Sequence, residues 1–338
     1  MTKRIPRLGA VALIGLAMSA PAIAAAQKGA PPAALSMDIM HIQVILDHLG
    51  FSPGVIDGKP GQSLKLALRG FQSARGLSET GDMDRPTMAA LANWRSIRPL
   101  RTLVVTQADA AGPFVGPLPD DMAEQAKLPT LGYADLSEKL AEKFHTTPAT
   151  LAALNGGRFR PAAGAKLRFP NVLPQSRSYP EKLDANWRQT LSDLNVDARS
   201  PVAARIVVDK SEGALKVYDE DDRLVAQFPA TMGSEHDPLP LGGWTIKGAA
   251  YNPPFHYNPA LFWDADSNEG KARLPPGPNG PVGVVWLDIS KEHYGIHGTP
   301  NPEKIGRTES HGCIRLTNWD AARLSLMVKP GTPALFRE

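Results

Sequence analysis

Two short stretches carry the decisive signal: Tyr294-Gly295-Ile296-His297-Gly298-Thr299-Pro300 and, shortly after it, Ser310-His311-Gly312-Cys313-Ile314-Arg315-Leu316. The first reads as a short strand ending at a histidine, with a turn that Gly298 permits. The second reads as a tight turn at Gly312 that runs into an apolar strand. Cys313 is the one cysteine of the 338 residues, so the chain has no internal disulfide and must rely on its cores. A thiol nucleophile needs a nearby base, because a free cysteine has a pKa of about 8.5 and is only a few per cent thiolate at neutral pH. His297, at the strand end, is the candidate base, and the amides of Gly312 and Cys313 are candidate oxyanion donors. His311 is nearer in sequence, but neighbouring turn residues tend to point apart, which favours His297. A helix opening at Thr317 would turn its positive end toward the thiol and favour thiolate.

Around this core the pattern is that of strands. Ile206-Val207-Val208, Leu215 to Tyr218 and Leu224 to Phe228 are short β runs, with a polar hairpin turn at Asp219 to Asp222. Gly243 to Ala249, Val282 to Ile289, Tyr294 to His297 and Pro333 to Arg337 add more. One helix stands out, capped by Thr317 with Asp320 three residues later, facing inward with Leu324, Met327 and Val328, and stopped by Pro330-Gly331. Many strands with one helix predict a mainly-β sandwich or barrel-like domain. Tyr251 to Pro281 holds seven prolines and little periodicity. A long irregular insertion of this kind predicts a lid.

Residues 203–337 resemble the L,D-transpeptidase family, with its YkuD-type catalytic domain. The His-Gly strand end, the Ser-His-Gly-Cys turn, Arg315, Gly242 to Trp244 and Tyr251 to Pro254 all stand in matching places. The resemblance implies a peptidoglycan enzyme that attacks the L,D-bond after the third residue of a stem tetrapeptide and releases D-Ala. A Cys313 thioester would then pass the acyl group to an amine. Within the site it implies that the Gly298 carbonyl orients His297, that Gly312, Ser310 and His311 shape the turn, and that Arg315 and Tyr251 meet substrate. Arg315 as structural partner of a carboxylate remains an alternative. The acceptor stays open: a stem-peptide amine gives 3→3 crosslinks, a lipoprotein lysine anchors a wall protein, a D-amino acid gives exchange, and water gives carboxypeptidase or cleaving activity. No cofactor is called for. A zinc reading of His293, His297 and His311 competes weakly, since residues four apart in a strand are far separated and no Glu stands in the zincin position. A non-enzymatic wall-binding protein is the other alternative, against which the intact Cys/His set argues.

Upstream, residues 37–95 read as a small all-α unit. Ile42, Ile45, Leu46 and Leu49 mark one helix, Leu64, Leu68 and Phe71 a second, and Asp84 caps a third carrying Met88, Leu91 and Trp94. Gln43, Leu49-Gly50-Phe51, Asp57-Gly58, Phe71-Gln72 and Gly76-Leu77 resemble the small peptidoglycan-binding domain of cell-wall enzymes, which implies either a wall contact or a spacer. Residues 131–172 hold two short helices, the second opened by Thr147-Pro148 and closed by Asn155-Gly156-Gly157, and then a strand at Lys166 to Pro170. They resemble a degenerate LysM module, and a plain linking subdomain fits equally. Residues 99–130 are rich in Pro and Gly and give no clear pattern.

Residues 1–26 read as a secretory signal: Lys3, Arg4 and Arg7, an apolar run from Leu8 to Met18, and Ala22-Ile23-Ala24 for cleavage. No cysteine follows the run, which excludes lipidation there. The expected location is the periplasm, against the wall. Without those three basic residues, 34 basic groups face 34 acidic ones, so bulk charge gives no support to nucleic-acid binding.

Overall fold

The computed structural model describes residues 34–157, 159–263, 265 and 270–338. The expected signal at 1–26 lies outside them. Among the described residues no helix is long and apolar enough to cross a membrane.

Three helices form the first unit: α1 (Met37–His48), α2 (Gln62–Ala74) and α3 (Arg85–Leu91). Ser36 caps α1 and Asp84 caps α3, each side chain accepting from the backbone three residues on. Ile45, Leu46, Phe51, Leu68, Phe71 and Leu91 close their core. Next, β1 (Leu100–Val104) pairs antiparallel with β2 (Lys166–Pro170). Between the two run α4 (Gln107–Ala110), α5 (Met122–Gln125), α6 (Leu136–Lys143) and α7 (Pro148–Leu154). The two helices and the strand expected within 131–172 are α6, α7 and β2, and β2 pairs with β1 from upstream of those bounds. Strand β1 gives little signal in sequence because Arg101, Thr102 and Val104 are exposed and only Leu100 and Leu103 are half-buried.

After α8 (Ala185–Asp193), the catalytic region contributes β3 (Arg205–Asp209), β4 (Ala214–Tyr218), β5 (Leu224–Pro229), β6 (Thr231–Met232), β7 (Gly242–Tyr251), β8 (Phe255–Tyr257), β9 (Ala272–Leu274), β10 (Val285–Ile289), β11 (Gly295–His297), β12 (Ile314–Arg315), α9 (Asn318–Met327) and β13 (Pro333–Arg337). Nine of these strands form one sheet, ordered β5-β4-β3-β13-β7-β10-β11-β12-β6. The long β7 joins its halves, pairing through residues 242–245 with β13 and through 246–251 with β10. Helix α9 is buried on nearly all sides, which is the place of a core helix. Its Trp319, Ala321, Ala322 and Leu324 share a core with Val208, Phe228, Leu287, Ile296 and Phe336.

The segments that composition separates are packed together. Strand β5 is the sheet edge, and residues 50–52 cover it. The Gln227 N–H donates to the Gly50 carbonyl and the Ser52 N–H to the Gln227 carbonyl, both at 2.9 Å. The Gln227 side chain reaches the Leu66 carbonyl at 2.7 Å, and Gly70 leaves room for it, since a Cβ there would stand 2.6 Å from Nε2. Met40, Val44 and Ile56 share a second core with Leu140, Phe144, Leu151 and Phe169 of the β1–β2 module. At the three-way junction Asp47 accepts from Arg323 at 3.3 Å and meets His145 at 3.2 Å, while His145 stacks on Trp319. The Arg323 and His145 partners outweigh burial and hold the Asp47 carboxyl well below the usual range.

The expected irregular insertion has structure. Strands β8 and β9 form a hairpin whose Tyr257 and Leu274 bury against Leu131, with Leu118, Met122 and Phe262 alongside. Its base is clamped: Leu131 N–H donates to the Pro276 carbonyl and Asn279 N–H to the Leu131 carbonyl, both at 3.0 Å.

Candidate active site

Cys313 and His297 come from neighbouring strands. Parallel pairing of β11 with β12 sets Ile296 beside Ile314 and His297 beside Arg315. One residue back, that register brings Cys313 opposite Gly295, whose backbone N–H acts on the thiol. Residues two apart share a face, so Cys313 and His297 are diagonal neighbours, with Cα atoms about 7–8 Å apart in such pairs. An imidazole spans most of that gap.

His297 is buried, and its ring is held on two sides. Nδ1 lies 2.7 Å from the Gly298 carbonyl and stacks beside Trp286, with centroids 5.4 Å apart at 15°. A carbonyl only accepts, so Nδ1 carries the proton and Nε2 is left basic. Gly295 makes the stack fit, because a Cβ there would stand 2.4 Å from the Trp286 ring.

The turn that carries Cys313 is pinned from below. Ser310 is buried; its Oγ accepts the Gly233 N–H at 2.7 Å and donates to the Cys313 carbonyl at 2.6 Å. Gly312 sits at φ +87°, and a Cβ on it would lie 2.4 Å from Tyr294. Among the described residues neither the Gly312 nor the Cys313 amide donates a hydrogen bond, as an oxyanion hole requires before substrate arrives.

Electrostatics favour a neutral resting pair. Burial pushes the His297 imidazole down to about 4, against the Gly298 hydrogen bond, and the Arg315 charge lowers it further. Cys313 is half-buried as a residue, yet its sulfur is surrounded closely enough that burial raises the thiol, over the lowering by the Gly295 amide and Arg315. The expectation of a thiolate favoured by the α9 terminus is therefore corrected. Helix α9 starts beyond Thr317, whose hydroxyl takes up the Asp320 N–H, and desolvation dominates at the sulfur.

Other expected residues are placed as follows. His311 packs edge-on to Phe262 at 4.9 Å, and Trp263 stacks on His236 at 4.2 Å, so the aromatic part of the lid lies over the turn. Arg315 stands beside His297, and one of its nitrogens lies 3.4 Å from the Glu309 carbonyl. Tyr251 stacks on Trp187 at 4.5 Å and packs against the sheet core. Among the described residues no three His, Cys, Asp or Glu side chains form a metal-binding group.

Residues 203–335 match the YkuD family, the L,D-transpeptidase catalytic domain, and residues 36–91 match the peptidoglycan binding domain family. A protein of Bacillus licheniformis that carries the name L,D-transpeptidase YkuD is 31% identical over 199 residues, covering 58% of this chain and 89% of its own. The chain belongs to the L,D-transpeptidase family. Escherichia coli YbiS, also named as an L,D-transpeptidase, is 31% identical over 135 residues, 39% of this chain and 44% of its own length. An L,D-transpeptidase structure from Xylanimonas cellulosilytica aligns at 17% identity and TM-score 0.37, covering 91% of this chain and all of that one.

In this L,D-transpeptidase several site residues escape sequence reasoning. Trp286 and Tyr294 shape the walls, Asp237 raises the thiol, and Asn318 braces the histidine turn. The available signal was glycine: Gly295, Gly298 and Gly312 each stand where a neighbouring side chain needs the space of a Cβ.

Proposed function

We propose that this L,D-transpeptidase is exported to the periplasm and works on peptidoglycan through a Cys313 acyl-enzyme. The observation that carries the reading is the shared face of β11 and β12, with His297 Nε2 left basic by the Nδ1–Gly298 contact and two amides unpartnered in the turn. In the proposed step the sulfur attacks the carbonyl carbon of the L,D-bond after the third stem residue, and its proton passes to His297. The Gly312 and Cys313 amides hold the oxyanion, His297 returns the proton to the leaving amine, and D-Ala departs as the thioester forms. An acceptor amine then loses a proton to His297, attacks the thioester, and regenerates the thiol.

The acceptors to be compared are a stem-peptide amine, giving 3→3 crosslinks, a wall-anchored lipoprotein lysine, a free D-amino acid, giving exchange, and water, giving carboxypeptidase activity; each is an outcome of the test. A groove of about 540 Å³ between α2 and the sheet supports contact with anionic stem peptides, because Lys65, Arg69, Lys210 and Arg307 line it against the one carboxylate of Glu212.

The test is mass spectrometry of products and intact protein with disaccharide-tetrapeptide, with and without candidate amines. An acyl adduct on wild type that is absent from a folded Cys313→Ala protein is expected. Normal D-Ala release by that variant would end the mechanism. Arg69→Glu with Arg307→Glu should weaken pelleting with insoluble sacculi, and unchanged pelleting would remove the groove from the reading.

A further inference from the structure

Asn318, the first residue of α9, is fully buried and its amide has one allowed orientation. Oδ1 accepts the Val284 N–H at 3.2 Å. Nδ2 donates to Glu142 Oε1 at 2.7 Å and to the Pro278 carbonyl at 3.0 Å. With acceptors on one side and a donor on the other, a flipped amide would set like against like. The allowed orientation puts Oδ1 in the space that two glycines leave, since a Cβ would stand 1.9 Å from it at Gly283 and 2.1 Å at Gly298. Gly298 is the residue whose carbonyl holds His297 Nδ1.

Glu142 reaches this point from α6, outside the catalytic sheet. It is buried, its carboxyl takes hydrogen bonds from the Tyr133 hydroxyl and from Asn318, and the neighbouring charge that acts on it, Glu138, has the same sign. Burial outweighs those two hydrogen bonds and pushes its carboxyl up to about 7. An apolar residue would fill this volume without that desolvation. What it would not do is accept from Asn318 and Tyr133.

We propose that Glu142 is a positioning residue for acyl transfer: it locks the Asn318 amide, which packs the Gly298 backbone, which in turn fixes the tautomer and direction of His297. The β1–β2 module is then part of the catalytic apparatus, in addition to any contact with the wall. This rests on His297 acting as base, as proposed above.

The test compares full-length wild type with Glu142→Ala and Glu142→Gln; the glutamine keeps an oxygen for Asn318 Nδ2. Two readouts are used: kcat and KM on disaccharide-tetrapeptide, and the pH dependence of Cys313 alkylation by iodoacetamide. Glu142→Ala should lower kcat about 10- to 100-fold, the scale of a displaced catalytic group, with KM within about twofold. Its alkylation at neutral pH should slow, and Glu142→Gln should recover most of both losses. If the alanine variant does not fold, Glu142→Met takes its place, filling the volume without accepting a hydrogen bond. Wild-type kcat and alkylation in the alanine or methionine variant overturn the proposal, and so does a glutamine variant as impaired as they are. Should the tetrapeptide be no substrate, turnover is absent from every variant while the alkylation order still decides the role of Glu142.

Discussion

Ser310→Ala removes one oxygen from beneath Cys313, and its cost follows from what that oxygen holds. Oγ accepts from Gly233 at 2.7 Å and donates to the Cys313 carbonyl at 2.6 Å, in a residue only 3% exposed. The backbone link from the Ser310 N–H to the Gly233 carbonyl, at 3.1 Å, survives the substitution. Two hydrogen bonds are lost where water has little access. A made bond contributes about 1 kcal/mol and an abandoned buried group costs about 1–3 kcal/mol, so the expected loss is about 2–4 kcal/mol. In a chain of this size that lowers the melting temperature by roughly 3–6 °C. The catalytic loss should be larger in proportion, because the freed Cys313 carbonyl lets the two amides of the turn drift, and a lost oxyanion donor costs about 10²–10³ in rate. Thermal melting followed by circular dichroism, together with the rate of acyl-adduct formation by intact mass, measures both. A variant that melts within a degree of wild type and acylates at the wild-type rate would refute this account of the turn.

His297→Ala should slow turnover roughly 10²- to 10⁴-fold, the range for a lost general base, and His311→Ala less, since it packs under Phe262; the reverse order in steady-state rates would make His311 the base. Because the thiol is raised and the imidazole lowered to about 4, the pair is neutral through neutrality. The rate of Cys313 alkylation should climb with pH beyond the ordinary thiol range, and a plateau between about pH 5 and 8 would reveal an ion pair instead. Arg323→Met leaves Asp47 buried without its cation and should cost about 3–5 kcal/mol in denaturant unfolding. The Asp47 carboxyl is depressed, so this contribution is complete above its unfolded range and lost on acidification. The gap between the two proteins should therefore narrow below about pH 4, and a gap independent of pH would mean that the ion pair is not its source.

Local chemistry was readable along the chain wherever a residue's role depends on near neighbours. The Thr317, Thr147 and Asp84 caps, the short β runs of β3 to β5 and the Ser-His-Gly-Cys turn are all of this kind, because capping, strand propensity and turn geometry are settled within a few residues. The nearness of Cys313 and His297 was expected from the same short stretches, and the β11–β12 register sets the two on one face. Long-range packing was not. Strand β1 is half-exposed and finds its partner more than sixty residues away, so its own pattern says little. The lid hairpin depends on Leu131, the sheet edge on Gly50 to Ser52, and the histidine brace on a carboxylate in α6. The pKa values belong with these. A sequence places a thiol before a helix and suggests thiolate, but desolvation is set by everything that folds around the sulfur, and here burial raises the thiol over the lowering by the Gly295 amide and Arg315.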